Sequence, residues 1–580
     1  MFISFNRQNG LGEDPAPPLI IVAGAHEVLP RIGRDALCNM LRRLPQDELD
    51  MALRLRLVPM VSLPGLSLFA ACGPAALEEG ARLGLRLGGY AEPQDLLAAV
   101  RAVHGNHLLR EATFGLARRF PAFSARRRLT APQAVAMVVG LALIVAAGLL
   151  LPWYVFWLLA SLAAGLFFLS VVALRILCLL PRLRRPPPAP PPLNEAELPA
   201  YSVLVPLFRE TSVLKQLVRG LSRLHYPAAK LDIKLLLEET DMPMRAAVAA
   251  LSLPAQFEVI VVPAGQPQTK PRALSYALPF CRGELLTVYD AEDIPEPDQL
   301  LKAAGRFANA PRELACLQAG LTFFNPNENW LTRQCTAEYA VLFGELLPVL
   351  ADHRLPLPLG GTSNHFRTEA LRQAGGWDPF NVTEDADLGL RLARLGLETA
   401  TLDSLTYEEA NTQLPNWMRQ RARWLKGFLA TWLVLMREPR RLLRELGPAG
   451  FWSAQVVTVG VFASALLHPL CLLATIGLFI AGPSLPEGAG PGLLALAGLN
   501  LLVFVSGYAT SFMLTRRALR QRGFAGWAGT LATLPVYWLL MSAAAWLALW
   551  QFIVQPFHWN KTQHGLSRSQ RLRRPRGGAG

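Results

Sequence analysis

Three short stretches of this chain carry side chains of the right type and spacing for chemistry. Asp290-Ala291-Glu292-Asp293 gathers three carboxylates within four residues, and Thr383-Glu384-Asp385 sets two more side by side. About 35 residues after these comes Gln420-Arg421-Ala422-Arg423-Trp424. Clustered hard oxygens suit Mg²⁺ or Mn²⁺, which neutralise a diphosphate. A carboxylate at the positive end of a helix can stay ionised and accept a proton, as a general base must. On a helix, Gln420, Arg423 and Trp424 share one face, where a guanidinium grips pyrophosphate and an indole stacks on a sugar. Lys270, in Thr269-Lys270-Pro271-Arg272, adds a cation that could meet phosphate. Each stretch also has a plain reading: an acidic loop, a capping box, an interfacial helix with Trp and Arg at the headgroups, a surface lysine. Their company in one chain favours chemistry.

The elements that must hold these groups can be read around them. Thr383 predicts a helix N-cap, and Leu388, Leu392 and Leu395 give the following segment, Asp387 to Leu397, an apolar stripe. Upstream, Ser202–Leu207, Ile233–Leu237, Phe257–Val262 and Leu285–Tyr289 predict buried strands alternating with helices, hence a parallel sheet. Ligands of such sheets bind beyond the strands' carboxyl ends. Glu238, Glu239 and Asp241 stand at the end of the second strand and Asp290 at the end of the fourth.

Around this domain the chain is apolar. Of 580 residues, 52% are hydrophobic and 17% charged, too few charges for an ordinary soluble surface. From Leu129 to Leu174, about 46 residues carry no charge. One span needs roughly 20, so this run predicts two, meeting near Leu151-Pro152-Trp153. Arg126-Arg127-Arg128 before it and Arg182, Arg184 and Arg185 after it place both outer ends in the cytoplasm. Pro-rich residues 186–198 predict a stiff spacer. After about Pro439 the pattern gives an interfacial piece, a span over Val457–Ile480, and another over Gly492–Leu514 closed by four arginines. The uncharged run Gly523–Phe557 then raises a parity problem. Crossing once, it would leave the basic tail outside, so a dip with the tail on the cytoplasmic side is favoured, with Pro535 as the break.

The net charge of +14 suits an anionic leaflet or anionic substrates, and no basic-aromatic interleaving argues for nucleic acid. Seven scattered cysteines exclude a disulfide framework and zinc-site spacing. No secretory signal opens the chain. The spans hold almost no ionisable residue, which argues against a solute transporter.

From Tyr201 to Lys426 the chain resembles the family 2 processive glycosyltransferases, close in pattern to bacterial cellulose synthase. Strand-end acid, Lys270, Asp290-Ala291-Glu292-Asp293-Ile294-Pro295, Thr383-Glu384-Asp385 and Gln420-x-x-Arg423-Trp424 occur in the family's order over about 225 residues. Trp559-Asn560-Lys561-Thr562-Gln563-His564-Gly565 resembles its gating loop. The resemblance implies a GT-A-like, mostly parallel α/β domain between transmembrane helices, with UDP-sugar as the expected donor, a glycan acceptor and membrane lipids around it. It implies Asp290 on Mg²⁺ or Mn²⁺, with Glu292 or Asp293 beside it, the choice left open. Glu238, Glu239 or Asp241 would stand where the family reads the uracil, again left open. Asp385 would be the base of an inverting transfer, with Glu384 next to it. Gln420, Arg423 and Trp424 would line the acceptor and diphosphate, and Thr562 and His564 would close over the donor. Gly361-Thr362-Ser363-Asn364-His365 falls on a loop near the family's acceptor. The chain has fewer spans than cellulose synthases, which leaves export undecided.

Residues 1–128 predict a small α+β domain. The order helix, Leu57-Val58-Pro59, hairpin, Gly73-Pro74, helix resembles the N-terminal domain of type II secretion ATPases. Arg31-Ile32-Gly33 and Arg82-Leu83-Gly84 are fragments of a dinucleotide-binding pattern in that domain's relatives, and docking of a protein partner or packing is expected over nucleotide sensing. The expected layout is 1–128 N-terminal domain, 129–180 helix pair, 181–199 linker, 200–440 cytoplasmic transferase domain, 441–557 interfacial and spanning segments, 558–580 gating motif and tail. The location implied is a bacterial inner membrane. The leading function is building a β-linked polysaccharide. A single-sugar transferase to a lipid or short carrier, and an inactive nucleotide-sensing scaffold, are the alternatives.

Overall fold

A computed structural model describes residues 20–21, 28–63, 66–180, 193–481, 491–524 and 526–555. The chain divides into two compact units, Met1–Leu108 and Leu109–Gly580. In the first, β1 (Ile20–Ile21) pairs with β2 (Val28–Leu29), followed by α1 (Arg34–Leu41) and α2 (Gln46–Leu55). The expected hairpin forms, with β3 (Leu57–Leu63) and β4 (Leu66–Cys72) paired antiparallel. Helix α3 (Pro74–Arg82) ends before a third strand, β5 (Arg86–Ala91), which pairs parallel with β4. Gly89 admits this strand: a Cβ there would lie 2.3 Å from Ile32. Helix α4 (Pro93–Arg119) begins in this unit and ends in the second.

In the second unit, α5 (Ala131–Leu150) and α6 (Trp153–Leu179) are the expected apolar pair, broken at Leu151-Pro152. Glu195–Glu197 form a short 3₁₀ turn within the segment read as polyproline spacer. Then come β6 (Tyr201–Leu207), α7 (Leu214–Leu221), β7 (Leu231–Glu238), α8 (Met242–Ala249), β8 (Phe257–Val262), α9 (Lys270–Ala277) and β9 (Leu285–Val288). All four expected strands pair parallel, in the order β9-β6-β7-β8. Strand β7 is buried throughout although it carries charges; Lys234 pairs inside the sheet with Asp232 at 2.7 Å and with Glu258.

The sheet continues beyond those four strands. β10 (Ile294–Pro295), α10 (Gln299–Ala308), β11 (Leu314–Phe323), α11 (Trp330–Val341), α12 (Leu347–Asp352), β12 (Asn364–Arg367), α13 (Thr368–Gln373), α14 (Glu384–Arg394) and β13 (Glu398–Glu408) complete it. Eight strands stand in the order β10-β13-β11-β12-β9-β6-β7-β8. β12 runs antiparallel to both its neighbours, β9 and β11. The sheet is therefore mixed and mostly parallel, the GT-A-like arrangement expected. Because β12 is reversed, the loop entering it arrives at the same edge where β9 ends, beside Asp290.

Among the described residues, five helices are long and apolar enough to cross a membrane. After α15 (Leu414–Leu435), α16 (Pro439–Gln455) kinks at Gly447, whose φ is 66°. α17 (Val461–Ala481) and α18 (Pro491–Gln521) follow, then α19 (Ala528–Ala532) and α20 (Leu534–Val554). Pro535 sits in the first turn of α20, so the uncharged run divides before it, as expected. α20 lies alongside α15: Trp417 Nε1 donates to Tyr537 Oη at 3.3 Å, Ala422 and Leu425 pack with Ala544, Ala545 and Ala548, and Lys426 Nζ reaches the Gln555 carbonyl at 3.3 Å. The apolar helices are not wholly free of polar groups. Arg175 of α6 donates to the Gly507 carbonyl at 3.3 Å, and His468 of α17 meets Tyr508 at 3.0 Å.

Candidate active site

The strongly apolar strands of the sheet leave their acids at one edge, where Lys270 gathers them. Lys270 opens α9, and its ammonium pairs with Asp290 and donates to the Gly361 carbonyl at 2.7 Å. Gly361 belongs to the loop before β12. A Cβ placed on it would lie 3.2 Å from Asp385 Oδ2 and 3.8 Å from Lys270 Nζ, so the Asp385 carboxylate stands in the same cluster. Arg423, from α15, completes it: its Nη1 points at the Val382 carbonyl at 3.5 Å, and its charge is felt by Glu384, Asp385 and Asp290. Residues separated by up to about 150 positions in the chain thus share one electrostatic neighbourhood. Residues 199–427 match the family described as Glycosyltransferase like family 2.

This segment is a family 2 glycosyltransferase domain.

Relatives of the domain differ in what they make. A beta-monoglucosyldiacylglycerol synthase of Trichormus variabilis is 26% identical over 42% of this chain and 53% of its own length. Cellulose synthase 2 of Novacetimonas hansenii is 27% identical over 55% of this chain and 19% of its own. A solved structure, the mannosyltransferase PcManGT from Pyrobaculum calidifontis in complex with GDP-Man and Mn2+, aligns with 68% of this chain and 97% of that one at 16% identity, with a TM-score of 0.41, too loose a likeness to carry an argument. The chain spans about half to three fifths of the length of the first curated relatives it matches.

In the glycosyltransferase domain, the loop bearing Thr383-Glu384-Asp385 is fixed from behind. Gly375 and Gly376 turn with φ of 81° and 68°, a left-handed backbone that favours glycine. Arg391 of α14 ties this turn down, donating to the carbonyls of Ala374 and Gly376 at 2.8 and 2.7 Å and pairing with Asp387 at 2.8 Å. Thr383 is the N-cap residue of α14, as expected, but its hydroxyl does not cap; it donates to Asn381 Oδ1 at 3.3 Å. Asp385 Oδ1 accepts from the Ala386 amide at 2.8 Å. α15 approaches this turn so closely that a Cβ on Gly427 would lie 2.3 Å from Thr383 Oγ1 and 2.8 Å from Thr383 Cβ. Gly427→Ala is therefore expected to push the turn off α15 and cut transfer by at least about tenfold, because misplacement on the order of 1 Å at reacting groups is that costly. Steady-state assay with thermal melting checks it: wild-type rate in a folded variant would mean the turn tolerates the shift.

Burial pushes both carboxyls of the pair upward. Glu384, buried and beside Asp385, is pushed up to about 8, and Lys270 and Arg423 only partly pull it back. Asp385 is raised by burial too, against the Ala386 amide, Lys270 and Arg423, which favour its ionised form. For Lys270, burial opposes the charge, but Asp290, Glu384 and Asp385 more than offset it and hold its pKa above the ordinary lysine value. The sign for stability follows. A carboxyl whose folded pKa is raised binds more protons folded than unfolded, so stability falls as pH rises between about 4.5 and about 8. The ligand-free protein is expected to melt several degrees lower at pH 8.5 than at pH 6, with Glu384→Gln flattening much of that slope; an unchanged slope would take Glu384 out of the account.

The expected metal-side acids divide. Asp290, a third exposed at its side chain, keeps an open face. Asp293 turns inward instead: its Oδ2 accepts from the Asp290 amide at 2.6 Å and from the Thr362 hydroxyl, while its buried Oδ1 has no hydrogen-bond partner. It shapes the turn rather than facing the cleft, because the tight backbone after β9 needs that acceptor. Glu292 is largely buried. Glu408, at the carboxyl end of β13, was not anticipated; burial, Glu292 and Asp290 push its carboxyl well above the usual range. Among the described residues no group of three His, Cys, Asp or Glu stands ready to hold a metal. The donor chemistry nonetheless fits a divalent cation. Asp290 offers a hard oxygen on its open face, and Glu408 is close enough to feel its charge, which Lys270 meets in this structure.

On the acceptor side, the predicted face of α15 is real but its three residues differ in company. Gln420 Oε1 accepts from Asn411 at 2.8 Å. Arg423 faces the Thr383 turn. Trp424 lies with Arg421 Cζ 4.1 Å over its ring and Tyr339 6.3 Å away, centroid to centroid. Arg421, on no one's predicted face, is almost fully buried and pairs with Glu338 at 2.7 Å, which also accepts from Tyr537 at 2.5 Å. This network locks α15 to α11 and α20.

At the far edge, Glu238 is buried against Arg272 at 2.6 Å, Asp241 accepts from the Arg209 amide at 2.5 Å and caps α8, and Glu239 Oε2 accepts from the Ala264 amide at 2.9 Å. Glu238 and Asp241 are therefore held inside the fold, and Glu239 is the more exposed of the three. His365 is a core residue: burial lowers its pKa to about 3, and Tyr201 and Gln299 bond its two nitrogens. Thr562 and His564 lie outside the described residues.

Proposed function

We propose that this protein is a membrane-embedded, inverting glycosyltransferase that takes a sugar from a nucleotide-diphosphate donor, UDP-sugar by the family resemblance, and adds it to a growing β-linked glycan. The observation that carries this reading is the Lys270 hub, which draws Asp290, the Gly361 loop and Asp385 to one edge of the sheet.

In this mechanism Asp385 takes the proton of the acceptor hydroxyl as that oxygen attacks the anomeric carbon from the face opposite the diphosphate. The bond to the diphosphate oxygen breaks, the configuration inverts, and the negative charge gained by the nucleoside diphosphate is met by Arg423 and by Lys270, which would be shared between Asp290 and the leaving diphosphate. Mg²⁺ or Mn²⁺, when bound, would be held at Asp290 and would supply Lewis-acid neutralisation of the diphosphate. Asp293 would hold the turn. Glu384, at about 8, stays largely protonated at neutral pH and spares Asp385 a second negative charge. Glu239 is the candidate for the nucleobase. Trp424, its other face backed by Arg421, would carry the acceptor sugar, with Gln420 at its edge. Thr562 and His564 would close over the donor.

The apolar helices support a membrane location, a bacterial inner membrane with the domain on the cytoplasmic side. An α20 lying at the interface along the first half of α15 would remove the parity problem and leave the tail on the domain's side. The first 108 residues would serve as a docking unit. Their likeness to a secretion ATPase domain rests on element order alone.

Product size tests processivity. With the right donor, purified membranes are expected to yield material of high degree of polymerisation even at early times, by gel filtration of radiolabelled product. Single additions to a lipid would replace the polymer reading with the carrier-transferase reading, which the glucosyldiacylglycerol synthase relative keeps alive.

A further inference from the structure

A second cleft lies next to the candidate active site, on the other side of the Thr383 turn. It is shallow and open, so a ligand would sit at its mouth, and it is lined by Arg127 and Arg128, just ahead of α5, by Phe380 and Val382 of the turn, by Lys426 of α15 and by Phe552 of α20. Three of its lining residues are cations and none is acidic. The remaining walls are apolar. Arg437 fixes the arginine side by donating to the Pro121 carbonyl at 2.7 Å and to the Arg127 carbonyl. Lys426 is held on the opposite wall by the Gln555 carbonyl at 3.3 Å and is almost completely buried.

We propose that this cleft binds the phosphate headgroup of an anionic membrane lipid. The chemistry has two halves, and the cleft has both. A phosphate needs cations that converge; an acyl chain needs apolar surface leading away. Arg127 and Arg128 stand where the apolar α5 begins, the depth at which headgroups lie if α5 crosses the bilayer. On α20 the neighbours of Phe552 toward lipid are exposed and apolar: Trp550 is 56% and Ile553 68% exposed. Burial, with Arg423 nearby, lowers Lys426 to about 8, so a phosphate beside it would restore its charge. Two further acids bear on the site from behind. Asp378 is taken up by Ser124 at 3.1 Å and by the Ala125 amide, and Asp387 by Arg391, so neither faces the lining. The proposal rests on the membrane reading above but not on sugar transfer.

The test is calorimetric titration of the full chain in uncharged maltoside micelles with three probes: dioctanoyl phosphatidylglycerol, dioctanoyl phosphatidylcholine and inorganic phosphate. Phosphatidylglycerol is expected to fill one saturable site, phosphatidylcholine to bind about tenfold more weakly, and the double variant Arg128→Gln/Lys426→Gln to lose about tenfold or more for phosphatidylglycerol. The charge-keeping Arg128→Lys is expected to retain binding. Ala430→Trp, which leaves the cations and fills the apolar wall, is expected to weaken it too, and carries the test if the double variant fails to fold. Equal binding of the two lipids, or unchanged binding by the folded variants, would overturn the proposal. Inorganic phosphate binding as tightly as phosphatidylglycerol would overturn the lipid source and make this a soluble-phosphate site. Neither result bears on whether Asp385 transfers sugar.

Discussion

Asp385→Asn is expected to remove sugar transfer while leaving donor binding near the wild-type level. The substitution keeps the side chain's size and its acceptance from the Ala386 amide, made at 2.8 Å, and removes only the group that can take a proton. General-base removal costs about 10²–10⁴-fold, and a drop near the upper end is expected, because Glu384 is buried and raised to about 8, hence largely protonated at neutral pH, and so is a poor substitute base. The change has a second consequence. Asp385 is among the charges that raise Glu384, so in the variant Glu384 should ionise at lower pH. Any residual activity should then rise with pH over a range lower than about 8. Turnover measured in membranes, beside donor binding by the same preparation, separates the outcomes: full turnover would remove Asp385 from the chemistry, and lost donor binding would mean it holds the donor instead.

Asp290→Ala is expected to weaken donor binding about 10–100-fold, the 1.5–3 kcal/mol that a charge-assisted contact is worth, and to abolish its stimulation by Mn²⁺. Lys270 makes the effect larger than one lost ligand. Its side chain is 10% exposed and its ammonium sits on Asp290; without that partner it must turn to Glu384 and Asp385. A lysine paired with the base lowers the base's proton affinity, so kcat should fall as well as affinity. Titration of nucleotide sugar with Mn²⁺ and with chelator reads both. Retained Mn²⁺-stimulated binding in the variant would count against a metal at Asp290. A loss of affinity with kcat unchanged would count against the Lys270 link.

What could be read ahead of the structure follows from period and length. The four central strands are continuous apolar runs ending in acids, and runs of that kind name both the sheet and its functional edge. Two strands of the second half have a broken pattern that hides them: β10 is two residues long, and β13 alternates Thr, Asp and Ser with apolar residues. That omission hid Glu408, although an acid at the carboxyl end of a strand was the signal that had located Asp290. The reversed β12 was beyond reach for another reason. A strand's direction is set by pairing, and Asn364–Arg367 gives no local sign of it. The inward turn of Asp293 shows the limit of reading a cluster as a ligand set. Three adjacent carboxylates in a tight turn cannot all face one way, and the backbone claims one. Likewise Arg421 was passed over for its neighbours, since helical periodicity says which residues share a face but not which face is buried against Glu338 and Tyr537.

The central claim is that the carboxylates and cations gathered by Lys270 transfer a sugar from a nucleotide-diphosphate donor. The most direct measurement is nucleoside diphosphate release against label incorporated, for the purified full chain in lipid nanodiscs, over a panel of radiolabelled nucleotide sugars. One donor should give release and incorporation in equal amounts, dependent on divalent cation and absent in Asp385→Asn. If no donor in the panel is consumed by folded protein, or if release runs equally in Asp385→Asn, the cluster is not a transferase site.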